Sequence, residues 1–151
     1  MGNAKVLRPS DRATTVFGAG DEYRFLATGD ETDGTYFMVE AVVPPGGGPP
    51  PHIQTREEEG FYVLEGELTF WVDGVRQEVG PGAFLHVPRN VPHCFKNEKD
   101  ETVRMLFWFS PAGIEGMFSM MGEMSEDDGM DVVVEMASRY GVSFVEMETP
   151  E

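Results

Sequence analysis

Short runs of β-forming residues, separated by glycine, proline and aspartate, recur at close and even spacing along most of the chain. Residues 22–28 and 35–43 are rich in aromatic and β-branched side chains, and a polar segment typical of a turn separates them. Asp73 and Gly74 lie between two further runs and supply the positive φ angles that a tight type I′ hairpin needs. Similar runs cover residues 83–88 and 102–109. This spacing predicts an all-β antiparallel sandwich or barrel rather than alternating strands and helices.

The pattern changes after Pro111, where apolar residues begin to recur with the period of a helix. Two stripes have this spacing: Ile114, Met117, Phe118 and Met121, followed by Val133, Met136, Ala137 and Tyr140. Asp131 stands near the start of the second stripe, and Gly141 follows it at the position where a helix commonly stops. We therefore predict two short C-terminal helices whose apolar faces cover a sheet.

The charge and the targeting signals exclude several classes of partner. Eleven Lys and Arg residues against 27 Asp and Glu residues give a formal net charge of -16, which repels nucleic acid and anionic membrane surfaces. We find neither an apolar segment of signal-peptide length at the N-terminus nor a window that approaches a membrane span. The single cysteine, Cys94, has no internal disulfide partner and agrees with a reducing compartment. These features predict a cytoplasmic protein.

Two histidines and a group of glutamates adjoin the β-forming runs. His52 and Gln54 are two residues apart, so on an extended strand both side chains point to one face, to which a glutamate from residues 57–59 can return. His93 follows on the far side of the predicted hairpin. Two imidazoles and a carboxylate from neighbouring strands match a divalent transition-metal site with open positions. Ordinary loop histidines and solvated glutamates have the same spacing, so the residues alone leave both interpretations open.

These residues resemble the two motifs of the cupin superfamily. The first motif is Gly, five residues, His-x-His, three or four residues, Glu, six residues, Gly, and it is matched by Gly46, His52, Gln54, Glu59 and Gly66. The second is Gly, five residues, Pro-x-Gly, two residues, His, three residues, Asn, and it is matched by Gly82, Pro88, Asn90, His93 and Asn97. Only Glu59 leaves six residues before a glycine, so Glu57 and Glu58 are predicted to face solvent.

Two residues depart from the motifs. Asn90 replaces a glycine, but asparagine tolerates the left-handed backbone region that the turn requires. Gln54 replaces the second histidine, and it offers a neutral carbonyl oxygen in place of a basic nitrogen. Three interpretations follow. Gln54 is a fourth metal ligand, or it positions water or substrate beside a metal held by His52, Glu59 and His93, or the site has lost its metal and kept a pocket.

The resemblance covers nearly the whole chain and points to the small single-domain cupins that are similar to quercetin dioxygenase. It implies one domain over residues 1–151, with a jelly-roll β-sandwich or barrel at about 20–110 and a helical segment at about 111–151. It also implies a homodimer and one divalent transition metal ion (Fe, Mn, Ni, Co, Cu or Zn) held by His52, Gln54, Glu59 and His93. Phe61 and Val63 share the strand face of Glu59, so we predict that they form apolar walls of the substrate pocket.

The function implied by the resemblance is metal-dependent dioxygenation of a small organic substrate, with dioxygen as the second substrate. In this interpretation Glu59 is both a metal ligand and the base that accepts the substrate's hydroxyl proton. Two alternatives remain, because a shared fold is weak evidence for one reaction. One is a cupin that binds or senses a small molecule without turnover, and the other is an isomerase or cyclase that needs no oxygen.

Overall fold

The computed structural model describes residues 3–18, 20–125 and 127–149. Its elements in chain order are β1 (Thr15–Gly18), β2 (Asp21–Ala27), β3 (Phe37–Val43), β4 (His52–Gln54), β5 (Glu58–Glu65), β6 (Leu68–Val72), β7 (Val75–Val79), β8 (Phe84–Val87), β9 (His93–Lys96), β10 (Val103–Ser110), α1 (Glu115–Glu123), α2 (Met130–Ser138) and β11 (Val142–Phe144). The predicted all-β class and the two short C-terminal helices are confirmed.

The strands form two antiparallel sheets that pack face to face as a jelly-roll β-sandwich. The first sheet has the order β1-β2-β3-β10-β5-β8, and the second has the order β11-β4-β9-β6-β7. From β3 to β10 the chain crosses between the sheets at every connection except the β6–β7 hairpin. Strands that are distant in sequence therefore become neighbours, and residues from both sheets meet between them.

The β6–β7 hairpin has the predicted turn. Asp73 and Gly74 have φ angles of 52° and 80°, and they follow directly on the paired residues Val72 and Val75. Positive φ at both central positions is the requirement of a type I′ turn, whose twist matches that of the strands.

The core lies between the sheets and continues beneath the first helix. Inward positions alternate along β3 and β10, as expected for strands with one face toward a core. Phe118 of α1 is 6% exposed, and its ring lies 5.6 Å from the ring of Phe37 and 5.8 Å from that of Phe109. The predicted apolar stripe of α1 therefore covers one end of the sandwich.

The C-terminal segment also contains a strand, β11, which the sequence analysis did not predict. β11 pairs with β4, and its Phe144 lies opposite His52. The backbone N–H of Thr55, directly after β4, donates to the carbonyl oxygen of Gly141 at 3.0 Å. This hydrogen bond connects the segment after α2 to the end of β4. In the described part of the chain, no helix is long and apolar enough to cross a membrane.

Candidate metal centre

Three strands bring His52, Glu59 and His93 together. β4 and β9 are neighbours in the second sheet, where His52 and His93 are paired and their rings lie 4.4 Å apart. β5 belongs to the facing sheet and carries Glu59, whose Oε1 lies 3.0 Å from His93 Nε2. One ligand atom from each residue lies within 4.8 Å of the others. The convergence that the sequence left open is therefore present.

Both imidazole rings are oriented by backbone carbonyls. His52 Nδ1 lies 3.0 Å from the carbonyl oxygen of Pro50, and His93 Nδ1 lies 2.9 Å from that of Val91. A proton on each Nδ1 satisfies these carbonyls and leaves each Nε2 directed at the cluster. Metal-binding histidines usually have this arrangement, because the second-nitrogen contact fixes both tautomer and ring orientation.

Gln54 bridges the cluster. The residue is 3% exposed, and its Oε1 lies 3.0 Å from His52 Nε2. A hydrogen-bonding contribution from Gln54 also opposes the rise in the pKa of Glu59. Gln54 therefore presents an oxygen at the position where the cupin motif usually has an imidazole nitrogen.

The nitrogen and oxygen atoms of the cluster are better placed to bind a cation than to hydrogen-bond to one another. A neutral imidazole carries one N–H, so His52 cannot donate both to Pro50 and to Gln54 Oε1. With the proton on Nδ1, the Nε2 lone pair of His52 faces an oxygen lone pair of Gln54. A divalent ion would turn this repulsion into two coordination bonds, and nitrogen and oxygen ligands of this kind suit transition metals.

Burial sets the protonation of the cluster. Burial, followed by the charge of His93, lowers the pKa of His52 to about 4, so this imidazole is neutral near pH 7 and able to bind a metal. Burial raises the pKa of Glu59 despite its hydrogen bonds from His93 and Gln54. Burial opposes the charge on His93, but the hydrogen bond and charge of Glu59 outweigh it and raise the pKa of His93. The last two residues are therefore coupled through one shared proton.

The cluster faces a cavity of about 580 Å³ between the sheets and the helices. Its walls are largely aromatic and include Phe61, Phe95, Phe107, Phe109, Phe118 and Phe144. Met117 and Met121 of α1 border it at the helical end. Unbranched thioethers adapt to irregular shapes, so this end can fit ligands of different outline.

Only one of the two residues predicted to form the pocket wall, Phe61 and Val63, lines the cavity. Phe61 lines the cavity, whereas Val63 is fully buried and does not. Val63 faces the interior as its strand position requires, but it lies four residues beyond Glu59, about 13 Å further along β5. Shared strand parity therefore identified the correct face but not the depth.

The prediction that Glu57 faces solvent is wrong, because this residue is only 3% exposed. Burial raises its pKa to about 7, and its Oε1 has no hydrogen-bond partner in the described structure. Glu57 has the parity of Glu59 and therefore turns toward the same interior side. Glu58, between them, is only half-buried.

Several other motif residues hold the strands that carry the ligands. Asn90 has a φ of 70°, and its backbone N–H donates to the carbonyl oxygen of Gln54 at 2.8 Å. Asn97 is 1% exposed, and its Nδ2 donates to the carbonyl oxygens of Val43 at 3.0 Å and Glu101 at 2.7 Å. The contact of Asn90 ties the turn before β9 to the end of β4, and the contacts of Asn97 tie the end of β9 to β3 and to the segment before β10.

Sequence reasoning did not identify three further residues of the cavity: Tyr23, Val142 and Phe144. Tyr23 reaches it from β2, and the other two reach it from β11. The apolar triplet after Gly141 was the available signal for β11, since β-branched and aromatic residues favour strands.

Comparison with known proteins places these residues in a family context. A family model described as Cupin domain matches residues 39–109. Quercetin 2,3-dioxygenase of Bacillus subtilis (strain 168) is 34% identical over 108 residues, which cover 71% of this chain and 32% of that protein. Quercetin 2,3-dioxygenase of Aspergillus japonicus is 26% identical over 129 residues, which cover 81% and 37%. The chain therefore spans about a third of the length of these two relatives.

A similar solved structure is the polyketide cyclase RemF from Streptomyces resistomycificus. It superposes with a TM-score of 0.63 and 27% sequence identity, covering 72% of this chain and 80% of that chain. Proteins that resemble this chain thus have names that refer to both an oxidative and a cyclising activity.

Proposed function

The chain belongs to the cupin family and is similar to quercetin 2,3-dioxygenase, and on this premise we propose that it is a metal-dependent dioxygenase of a small organic substrate. The observation that carries the proposal is the convergence of His52, Glu59 and His93 within 4.8 Å in a largely apolar cavity. A buried set of acceptors without enough protons is costly to a fold unless it has a ligand.

The metal-binding residues that we propose are His52, Glu59 and His93, with Gln54 as a fourth, oxygen ligand. A divalent transition ion bound there supplies Lewis acidity and open coordination positions for an oxygen-bearing substrate. The hydrogen bonds to Pro50 and Val91 hold both imidazoles in the binding orientation. The position of Gln54 Oε1, 3.0 Å from His52 Nε2, favours coordination over the alternative in which Gln54 only positions water.

Glu59 is the proposed proton acceptor. Burial raises its pKa, and a carboxylate with a raised pKa takes a proton from a substrate hydroxyl more readily than an exposed one does. The surrounding Phe61 and Phe107 exclude water from this end of the cavity, which strengthens the interaction between Glu59 and an acidic hydroxyl. Deprotonation would leave the substrate as the electron-rich anion that reacts with dioxygen.

A cyclase or isomerase is the second candidate, and the likeness to the polyketide cyclase RemF favours it. The same proton transfer to Glu59 would start an enolisation and ring closure without oxygen. A binding or sensing protein is the third candidate, because Gln54 is a weaker ligand than the usual histidine. The three candidates differ in metal content, oxygen use and product.

Metal content tests the site first. Protein purified without a chelator or a His tag is compared by ICP mass spectrometry with a His52→Ala, His93→Ala double variant. His86→Ala is the matched control, since His86 is the third histidine and lies exposed on β8. We expect about one transition metal per chain in the wild type and the control, and loss from the double variant. Equal content in all three would refute the proposed centre.

Turnover tests the reaction. Metal-reconstituted protein is given flavonols and β-diketones in an oxygen electrode, and products are followed by mass spectrometry with and without oxygen. Oxygen consumption with incorporation of both oxygen atoms supports the dioxygenase. Product formation under nitrogen supports the cyclase or isomerase, and saturable binding without product supports the sensor.

A further inference from the structure

Tyr23 and Asp21 form a buried polar pair on the wall of the cavity, outside the metal-binding set. Tyr23 lines the cavity from β2 and is 5% exposed. Its hydroxyl donates to Asp21 Oδ2 at 3.0 Å, and Asp21 has no exposed surface. In the described structure, the other carboxylate oxygen, Oδ1, has no hydrogen-bond partner.

The fold itself has little use for this carboxylate. Burial raises the pKa of Asp21 to about 6, although the hydrogen bond from Tyr23 opposes the shift. Asp21 is packed against the backbone of Gly47, where a Cβ atom would overlap Oδ1. An apolar side chain here would avoid the desolvation of a charge that makes a single hydrogen bond. A buried carboxylate in such a place therefore suggests a role in ligand binding.

The hydrogen bond to Asp21 makes the hydroxyl of Tyr23 an acceptor, and not a donor, toward a ligand. Its only O–H is committed to Asp21, so the phenolic oxygen retains acceptor lone pairs and no free proton. Donation to a carboxylate also makes that oxygen a stronger acceptor, because neighbouring hydrogen bonds polarise one another. The ligand group that complements it is a donor, such as a hydroxyl, and not a carbonyl or carboxylate.

We propose that the Tyr23–Asp21 pair is a second recognition point of the cavity, which accepts a hydrogen bond from a ligand hydroxyl other than the one held at the metal-binding residues. Tyr23 is the binding residue, and Asp21 is a positioning residue that acts through it. Part of this inference rests on the proposed function, because the metal-binding cluster is taken to hold the other end of the ligand.

The intervening side chains indicate the class of ligand. The ring of Tyr23 lies 5.8 Å from that of Phe107, Phe107 lies 6.1 Å from Phe61, and Phe61 lies 6.3 Å from His93. Phe107 and Phe61 therefore connect Tyr23 to His93 through a series of ring contacts along the cavity wall. A flat aromatic molecule with hydroxyl groups on more than one ring fits such a wall, because its rings pack against the phenylalanines.

The test compares two probes that share the metal-binding end. Quercetin carries hydroxyl groups on both outer rings, whereas 3-hydroxyflavone has none beyond the 3-hydroxyl. Binding is measured by fluorescence titration under nitrogen with protein loaded with Zn²⁺, which is redox-inactive and prevents oxidative turnover. The measured quantity is the ratio of the two dissociation constants, which a merely structural role would not change.

We expect the wild type to favour quercetin by about tenfold, the discrimination typical of one buried hydrogen bond with charged character. Tyr23→Phe should remove most of this preference, and Asp21→Asn should reduce it. Tyr62→Phe is the matched control, because Tyr62 is 40% exposed and does not line the cavity. Melting temperatures of all variants show whether each is folded.

An unchanged ratio in a folded Tyr23→Phe or Asp21→Asn variant would overturn the proposal, as would a wild type without preference. Either result would leave metal-dependent dioxygenation standing. Discrimination that depends on Tyr23, without oxygen consumption by the metal-reconstituted enzyme, would support the recognition point and refute the dioxygenase. Failure of both probes to bind would overturn the recognition point, whereas the proposed dioxygenase would still be decided by metal content and oxygen consumption.

Discussion

His93 Nε2 lies 3.0 Å from Glu59 Oε1, although the two residues are 34 positions apart and come from opposite sheets. Both side chains are buried, at 2% and 6% exposed. In the absence of a metal, this contact requires a proton between nitrogen and oxygen. Metal binding would displace that proton, so the pair links metal affinity to pH.

We expect Glu59→Gln to lower metal affinity at least about tenfold, because the variant removes the anionic ligand. Metal retained after dialysis against a weak chelator, measured by ICP mass spectrometry, checks this expectation. Glu58→Gln is the control, since Glu58 is the preceding residue of β5 and points to the opposite face. Equal retention by the two variants would argue against Glu59 as a ligand.

Gln54→His should strengthen metal binding by about tenfold or more, because an imidazole nitrogen is a better ligand than an amide oxygen for these metals. Chelator competition measures the gain. Gln54→Leu replaces the amide by an apolar group that has no oxygen, and we expect it to weaken binding. If neither substitution changed affinity, Gln54 would not coordinate the metal.

Asp21→Asn should change the pH dependence of stability. The pKa of Asp21 is about 6 in the folded protein, against a usual value of 3.8, so the folded state holds its proton to higher pH than the unfolded chain does. Its contribution to the unfolding free energy is therefore present at low pH and is lost as pH rises from about 4 to 6. The loss amounts to roughly 3 kcal/mol, at about 1.4 kcal/mol per pKa unit.

Urea denaturation of the metal-free proteins between pH 4 and 7 measures this effect. We expect Asp21→Asn to be more stable than the wild type above pH 6, with the difference shrinking toward pH 4. Asp100→Asn, at an exposed aspartate, controls for the change in net charge. If the unfolding free energies of the wild type and Asp21→Asn changed in parallel with pH, ionisation of Asp21 would not destabilise the fold.

Gly60→Ala should destabilise the fold by about 1–3 kcal/mol, a typical effect of overpacking. Gly60 separates Glu59 from Phe61 on β5, and the Trp108 indole lies where an alanine Cβ would go. Thermal melts compared with Gly80→Ala test this, because the nearest atom to a Cβ at Gly80 is 4.0 Å away. Equal melting temperatures would show that the indole moves freely.

The homodimer implied by the family resemblance stays a prediction. β8 is an edge strand, and its Phe84 is 60% exposed and stacks on Trp108 at a ring distance of 6.0 Å. Exposed edge strands are commonly covered by a partner. We expect Phe84→Lys to shift the mass in light scattering from dimer to monomer, while Val6→Lys, at an exposed apolar residue outside the strands, does not. A wild type that runs as a monomer would exclude this dimer.

Local chemistry made several features readable from the sequence. The Asp73-Gly74 turn was predictable because a type I′ turn requires positive φ at two adjacent positions, and an Asp-Gly pair adopts these angles readily. Glu59 was selected over its neighbours by motif spacing, and strand alternation placed His52 and Gln54 on one face. These properties depend on residues close in the chain, so the sequence by itself determined most of the strands, the turn and the candidate ligands, but not β1 or β11.

Only the tertiary structure decided how deep each side chain lies and what it meets there. Val63 has the right parity but lies beyond the cavity, and Glu57 is buried although its surroundings in sequence are highly charged. The contact of Tyr23 with the cavity depends on which strands become neighbours. That choice is made by non-local packing of two sheets and a helix, because burial is a property of the assembled core and not of any short segment.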